Sequence, residues 1–280
     1  MGKKSGLKRR SPVLSGIYYP ENPLTLTAKL RSYGLKKDAP ACGGQVILAP
    51  HGAWDLCGNI AASAFASVQK GKKGQIVYKV LILGALHQDC EEGIYLSESD
   101  SFETPIGDLY VDHQLNHALA SNSNLITISD IPHLSEHSLE VILPMVKYCF
   151  PNVLIVPILM SGGRPALISA LAKALMAAMG KHLGDILIVL SSTVSQNLDP
   201  VLALSMAEEF RFLLERSDTK AFFNRLRDGG ISACGGALVG AILESGLLND
   251  RHLSALCPFV QGKGETGETI YYGAFSDGPN

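Results

Sequence analysis

Short apolar runs alternate with helix-like segments along most of this chain. Runs of Val, Ile and Leu predict strands that are covered on both faces, at residues 46–49, 77–83, 153–159 and 186–190. Apolar residues at helical spacing predict helices at residues 59–69, 113–120, 165–179, 202–215, 219–227 and 237–244. This alternation predicts a three-layer α/β fold, with a largely parallel central sheet and helices on both faces.

Weaker patterns complete the predicted element order. Short strands are expected at residues 94–96, 109–111, 256–261 and 270–275. A helix over 138–148 would be capped by Ser138 and kinked at Pro144. Neither an internal repeat nor a long linker interrupts the pattern, so we predict one domain over residues 13–280. A solvated basic tail is predicted over residues 1–12.

Polar residues follow three of the predicted strands. His51 comes after the first strand, His87 after the second, and Ser191, Ser192 and Thr193 after the fourth. Ligands bind outside the carboxyl ends of parallel strands, so these residues should meet at one edge of the sheet. A single loop histidine is more often a hydrogen-bonded surface group, but two converging imidazoles suit Fe, Cu, Ni or Zn.

Residues 130–140 contain a high density of titratable groups. The segment DIPHLSEHSLE includes two histidines, His133 and His137, at a spacing of four. Either imidazole could act as an acid or base at neutral pH. Alternatively, Ser138 caps a helix, and the negative charge of Glu136 or Glu140 interacts favourably with the positive end of the helix dipole. The sequence leaves both interpretations open.

Cys234 directly precedes Gly235 and Gly236, where a helix is predicted to begin. The helix dipole favours a thiolate at such a position, which would assist metal ligation or redox reactivity. An inert buried cysteine is the alternative. Weaker candidates that neighbour the predicted ligands are Asp55, Cys57, Asp89 and Cys90.

Composition and charge exclude several kinds of partner. The formal net charge of −2 gives no basic field to hold a nucleic acid or an anionic membrane. No apolar run approaches the roughly 20 residues that span a bilayer. The basic N-terminus lacks the apolar centre of a secretory signal, and the 6 scattered cysteines fit a reducing compartment. We therefore predict a cytoplasmic protein.

Taken together, these motifs resemble the Memo family, called AmmeMemoRadiSam system protein B in prokaryotes and related in fold to class III extradiol dioxygenases. The resemblance covers most of the chain, and ETPIG together with EHSLE is its most specific part. The matching segments are GIYYP, PHGAWDLCG, LGALH, ETPIG, DIPHLSEHSLEVILP, SSTVSQ, the Cys234 segment and YYGAF.

The resemblance implies a metal-binding pocket that this chain has altered. His51, His87 and Cys234 stand at three of the family's five pocket positions, whereas Thr193 and Gln196 replace the usual Asp and His. The iron site of two histidines and one carboxylate cannot be built from the usual positions. Two imidazoles and a thiolate could still hold Fe, Cu or Zn. We expect no nucleotide cofactor.

Three functional hypotheses follow, and they leave open whether the protein is an enzyme. The leading one is a metal-binding cleft with a redox or dioxygenase-related activity, hence an oxidoreductase, on a small molecule. The alternative is a non-catalytic member that binds a peptide or protein and has lost the metal. A third has Cys234 as nucleophile with His51 or His87 as base. The resemblance also implies a functional association with a radical-SAM protein.

Overall fold

The structure is a computed structural model that describes residues 7–38, 45–69, 77–179, 184–248 and 251–277. Its strands are β1 (Arg9–Arg10), β2 (Val46–Ala49), β3 (Lys79–Ala85), β4 (Gly93–Leu96), β5 (Ser101–Phe102), β6 (Leu109–Val111), β7 (Ile126–Ile128), β8 (Leu154–Ser161), β9 (Ile186–Ser191), β10 (Ser195–Asn197), β11 (Ser254–Ala255), β12 (Val260–Lys263), β13 (Thr269–Tyr272) and β14 (Phe275–Ser276). Its α-helices are α1 (Pro23–Ser32), α2 (Trp54–Val68), α3 (His113–Ala120), α4 (His137–Glu140), α5 (Leu143–Cys149), α6 (Pro165–Met179), α7 (Pro200–Glu215), α8 (Thr219–Arg227) and α9 (Gly236–Ser245).

A mixed sheet forms the middle layer, in the order β1-β5-β6-β8-β3-β9-β2-β14-β11, with β4 joining β8 to β7. Its central strands β8, β3, β9 and β2 are parallel to one another. The predicted α/β fold with a largely parallel central sheet is therefore confirmed. The antiparallel pairs lie toward the edges, at β4–β8, β5–β6, β2–β14 and β14–β11.

Helices cover both faces of this sheet. Successive side chains of a strand point to opposite faces, and along β3 Leu81 and Leu83 pack into one core while Val80 and Ile82 pack into the other. The first core includes residues of α3, α6, α7 and α9, and the second includes residues of α1, α2 and α5. No helix within the described ranges is both long and apolar enough to cross a membrane.

Helix α4 and helix α5 replace the single helix predicted over residues 138–148. Pro144 lies in the first turn of α5, where its missing N–H costs nothing, so it starts a new helix instead of kinking one. The predicted cap at Ser138 is also wrong. Glu136 caps α4, and its side chain accepts a hydrogen bond from the backbone N–H of Ser138.

The strand predicted over residues 270–275 is divided between two sheets, and of the strand predicted over residues 256–261 only the last two residues lie in a strand. β10, β13 and β12 form a small antiparallel sheet, whereas β14 and β11 join the large one. Between β13 and β14 the chain passes so close to its neighbours that a Cβ at Gly273 would lie 2.7 Å from Phe259 and 2.8 Å from Val194. This switch between sheets places β12, β13 and the turn between them over the carboxyl ends of the central strands.

The predicted solvated tail over residues 1–12 is wrong for Arg10. Arg9 and Arg10 pair in parallel with β5, and Arg9 is exposed whereas Arg10 is only 5% exposed. The cause is a distant carboxylate, because Arg10 forms a buried ion pair with Glu140. Residues 1–6 of the predicted tail lie outside the described residues.

Candidate functional site

A cleft of about 530 Å³ opens at the carboxyl edge of the parallel strands. Three neighbouring strands each place a side chain in this cleft, two residues past the end of the strand. These residues are His51 after β2, His87 after β3 and Thr193 after β9. The cleft is lined by Tyr18, His51, Gly52, Ala53, Leu56, His87, His137, Thr193, Gln196, Cys234, Lys263, Gly264, Glu265, Thr266, Glu268, Ile270 and Tyr272.

Three imidazoles cluster in this cleft. One ring nitrogen from each of His51, His87 and His137 lies within 4.8 Å of the corresponding atoms of the other two. The ring centroids of His87 and His137 are 4.3 Å apart, and each is 5.1 Å from that of His51. Three nitrogen donors at this spacing could hold a single metal ion.

The orientation of the His51 ring is fixed by a chain of hydrogen bonds. Its Nδ1 lies 2.9 Å from Oγ of Ser191, which donates its one hydrogen to the carbonyl oxygen of Ser138 at 2.5 Å. The Ser191 hydroxyl can then only accept from His51, so Nδ1 carries the proton. The Nε2 atom of a neutral His51 is consequently left with a lone pair.

A buried carboxylate orients the other two rings. Oε1 of Glu136 accepts a hydrogen bond from Nδ1 of His87 at 2.9 Å and lies 3.1 Å from Nδ1 of His137. Its other oxygen accepts the backbone N–H of His87 at 2.7 Å. Burial opposes ionisation, but these donors hold the pKa of Glu136 well below its usual range. Carboxylates bonded to the outer nitrogen of a histidine are typical partners of metal ligands.

Cys234 places its sulfur beside the imidazoles. Sγ lies 3.4 Å from Nε2 of His51, and it accepts hydrogen bonds from both the backbone N–H and the hydroxyl of Thr193, each at 3.2 Å. Although burial opposes the thiolate, His51 and His87 hold the pKa of Cys234 well below that of a free thiol. Burial likewise opposes the imidazolium of His87, but Cys234 and Glu136 raise its pKa to about 10.

The two histidines predicted as acid or base candidates lie in different environments. His137 faces the cleft, and burial and the neighbouring imidazoles lower its pKa in spite of Glu136. His133 is buried outside the cleft, with Nε2 3.2 Å from the carbonyl oxygen of Tyr95 and its ring edge against Phe102. Burial lowers the pKa of His133 to about 4.

The altered pocket positions have distinct contacts. Thr193 binds Cys234 as described, and Gln196 lines the cleft while its backbone N–H donates to Oγ of Ser232 at 3.0 Å. Sequence reasoning missed Glu136 as the anchor of two imidazoles, since it considered this residue only for helix capping and ion pairing. The one available signal was its position immediately before His137.

The weaker candidates lie outside the group of imidazoles and sulfur. Asp55 is exposed and forms an ion pair with Lys29. Cys57 is buried, and burial raises its pKa to about 12. Asp89 and Cys90 are exposed and are not among the residues that line the cleft.

Comparison with known proteins gives one consistent family. The sequence model named Memo, described as Memo-like protein, matches residues 10–257. A MEMO1 family protein of Desulfurococcus amylolyticus is 27% identical over 250 residues, covering 85% of this chain and 87% of that protein. MEMO1 family proteins of Metallosphaera sedula (24% over 246 residues) and Thermotoga maritima (27% over 256 residues) cover 84% and 88% of this chain, and 86% and 91% of their own length.

Proposed function

This chain belongs to the Memo family, and from that premise we propose that its cleft binds one transition-metal ion through His51, His87, His137 and Cys234. The observation that carries the proposal is the group of three imidazole nitrogens within 4.8 Å of one another. Each ring is held through Nδ1 by an oxygen atom, which leaves Nε2 as the ligand atom.

The donor atoms fit a transition metal better than a hard cation. Imidazole and thiolate ligands suit Zn, Cu and Fe, whereas Mg²⁺ and Ca²⁺ prefer oxygen. The nearby carboxylate of Glu136 is already used to hold two of the rings. When bound, such a metal would supply Lewis-acid or redox chemistry.

The proposed substrate is a small molecule held above these ligands. The cleft volume of about 530 Å³ is within the range of small-molecule sites. Tyr18, Leu56 and Tyr272 give it apolar walls with two phenol hydroxyls, and the turn that follows Lys263 forms a polar rim. We propose that this molecule is oxidised with dioxygen as the electron acceptor, and that Tyr18 and Tyr272 orient it and exclude bulk water.

Elemental analysis of protein purified without chelator tests the metal site. We expect near-stoichiometric Fe, Cu or Zn in the wild type, and its loss in His51→Ala and Cys234→Ala. His117→Ala is the matched control, because this exposed histidine on α3 is remote from the cleft residues. Wild-type protein that lacks metal and takes up none would overturn the proposal and favour the peptide- or protein-binding alternative.

A second function is favoured by the surroundings of the Cys234 sulfur. Two hydrogen bonds from Thr193 stabilise negative charge on Sγ, and the neighbouring ring of His51 adds to this when its Nε2 carries a proton. A nucleophilic cysteine enzyme would need such an arrangement. Iodoacetamide should then alkylate Cys234 rapidly and stoichiometrically in chelator-treated protein, and the reaction should disappear in Cys234→Ser but persist in Cys57→Ser. Slow labelling of Cys234 would remove this candidate.

A further inference from the structure

The N-terminal arm, defined here as residues 8–19, lies against the segment that carries Glu136 and His137. At its outer end the Lys8 ammonium contacts the carboxylates of Glu98 and Asp130 at 2.7 and 2.8 Å. Farther along, β1 pairs with β5. The arm is therefore fixed to the body of the protein before it reaches the cleft.

Arg10 joins this arm to three points of the segment. Its Nε donates to the carbonyl oxygen of His133 at 3.0 Å, and its Nη2 donates to the carbonyl oxygen of Glu136 at 3.4 Å. Its Nη1 pairs with the carboxylate of Glu140. The side chains of Arg10 and Glu140 are 3% and 1% exposed, so water does not compete for these contacts.

Glu140 completes the attachment from the other side. Its Oε1 accepts the backbone N–H groups of Val13 and Leu14, at 3.0 and 2.7 Å, and the hydroxyl of Tyr19 at 2.9 Å. One carboxylate at the end of α4 thus holds the beginning, middle and end of the arm.

The same arm ends beside the imidazole cluster. The ring of Tyr18 lies edge-on to that of His137, with centroids 6.0 Å apart, and lines the cleft. The carbonyl oxygen of Tyr18 accepts the backbone N–H of Trp54 at 2.8 Å, at the start of α2. Displacement of the arm would therefore remove a contact of His137 as well as the support of the Glu136 backbone.

We propose that Arg10 is a positioning residue for the metal cluster. It binds the backbone carbonyls of His133 and Glu136, and this fixes the carboxylate of Glu136 that orients His87 and His137. The inference rests on the proposed metal site. Metal affinity then depends on the two carbonyl contacts of Arg10 and not only on its ion pair with Glu140.

Arg10→Lys separates these two contributions. A lysine keeps the positive charge for Glu140 but cannot also bond both carbonyl oxygens, because it lacks the planar fork of a guanidinium. The matched control is Lys79→Met, which removes the partner of the buried Asp112 carboxylate at the opposite edge of the sheet. Both variants lose one contact of a buried charge, but only Arg10→Lys touches the segment of Glu136.

The experiment measures Co²⁺ affinity by competition with a chelator, at a temperature where circular dichroism shows every variant folded. We expect Arg10→Lys to bind Co²⁺ about tenfold more weakly and to alter the ligand-field absorption bands of bound Co²⁺. Lys79→Met should keep the wild-type affinity and spectrum. Wild-type affinity in Arg10→Lys, or an equal loss in Lys79→Met, would overturn the inference.

Two further outcomes keep the inference separate from the proposed function. If the wild type binds no Co²⁺, the metal site itself is wrong. If Arg10→Lys does not fold, Glu140→Gln replaces it, because this variant retains acceptors for Val13 and Leu14 while weakening the hold on Arg10. A smaller loss of Co²⁺ affinity is then expected, and unchanged affinity would overturn the positioning role.

Discussion

Glu136 precedes one short helix and Glu140 is its last residue, and both carboxylates are almost fully buried, but they organise different parts of the molecule. Glu136 binds the rings of His87 and His137, so it supports the cleft. Glu140 binds Arg10 and the N-terminal arm. The comparison shows that a buried carboxylate can influence a site without being a ligand or a catalyst, because its influence depends on which hydrogen-bond donors it binds.

The largest effect on folding should come from Glu140→Ala. This change leaves the buried guanidinium of Arg10 without its carboxylate and frees three further donors, so the free energy of unfolding should fall by about 3–5 kcal/mol. Urea denaturation followed by circular dichroism measures it. A loss below about 1 kcal/mol, the range of surface ion pairs, would show that the arm contributes little to stability.

Glu136→Gln should separate cleft organisation from stability. The amide oxygen can still face both rings, but the amide NH2 cannot accept the backbone N–H of His87 and the negative charge is lost, so we expect a loss of about 2–3 kcal/mol in the free energy of unfolding. Metal affinity should fall about 10- to 100-fold, measured by Zn²⁺ competition. If Glu136→Gln and Glu140→Ala weaken the metal equally, the assignment of the two carboxylates to different regions is wrong.

His133 should make the free energy of unfolding fall as the pH is lowered. Burial lowers the pKa of His133 from 6.5 to about 4, so the unfolded chain takes up its proton first as the pH falls. The contribution of His133 is complete above pH 6.5 and is lost toward pH 4, which amounts to about 2 kcal/mol between pH 8 and pH 5. Urea unfolding of His133→Asn at both pH values should show a correspondingly smaller decrease, and an unchanged decrease contradicts the assignment.

The smallest effect is expected for an exposed carboxylate. Asp55 is largely exposed and contacts Lys29 at the surface. Asp55→Asn should change the free energy of unfolding by less than about 1 kcal/mol and should leave the metal content as in the wild type. Loss of metal in Asp55→Asn would return this residue to the set of ligand candidates.

Local patterns predicted the helices and strands in which buried residues recur at a regular spacing along the sequence. The apolar runs that became β2, β3, β8 and β9 are strands covered on both faces, and the helical spacing of α3, α6 and α8 gave their observed bounds. The positions of His51 and His87 after two of these strands followed from the same pattern. Their convergence at one edge of the sheet needed only the rule that parallel strands end together.

Contacts between distant segments could not be predicted in this way. Arg10 has the sequence context of a basic tail, and only Glu140, 130 residues later, makes it a buried residue. Glu136 replaced Ser138 as the cap of α4 because its carboxylate also collects the His87 and His137 donors. Gly273 gave no signal that the chain changes sheets there. Each of these outcomes depends on a partner that local sequence does not contain.

The separation between Arg10 and Glu140 also has a consequence for biosynthesis. The ribosome releases the arm before its carboxylate partner, which is made 130 residues later, and Tyr272, on the wall of the cleft, is made later still. Contacts between residues so far apart form slowly, and the arm stays hydrated until Glu140 emerges. The complete cleft therefore cannot exist before Tyr272 has left the ribosome, and a nascent chain would present its histidines and Cys234 to metal ions one at a time.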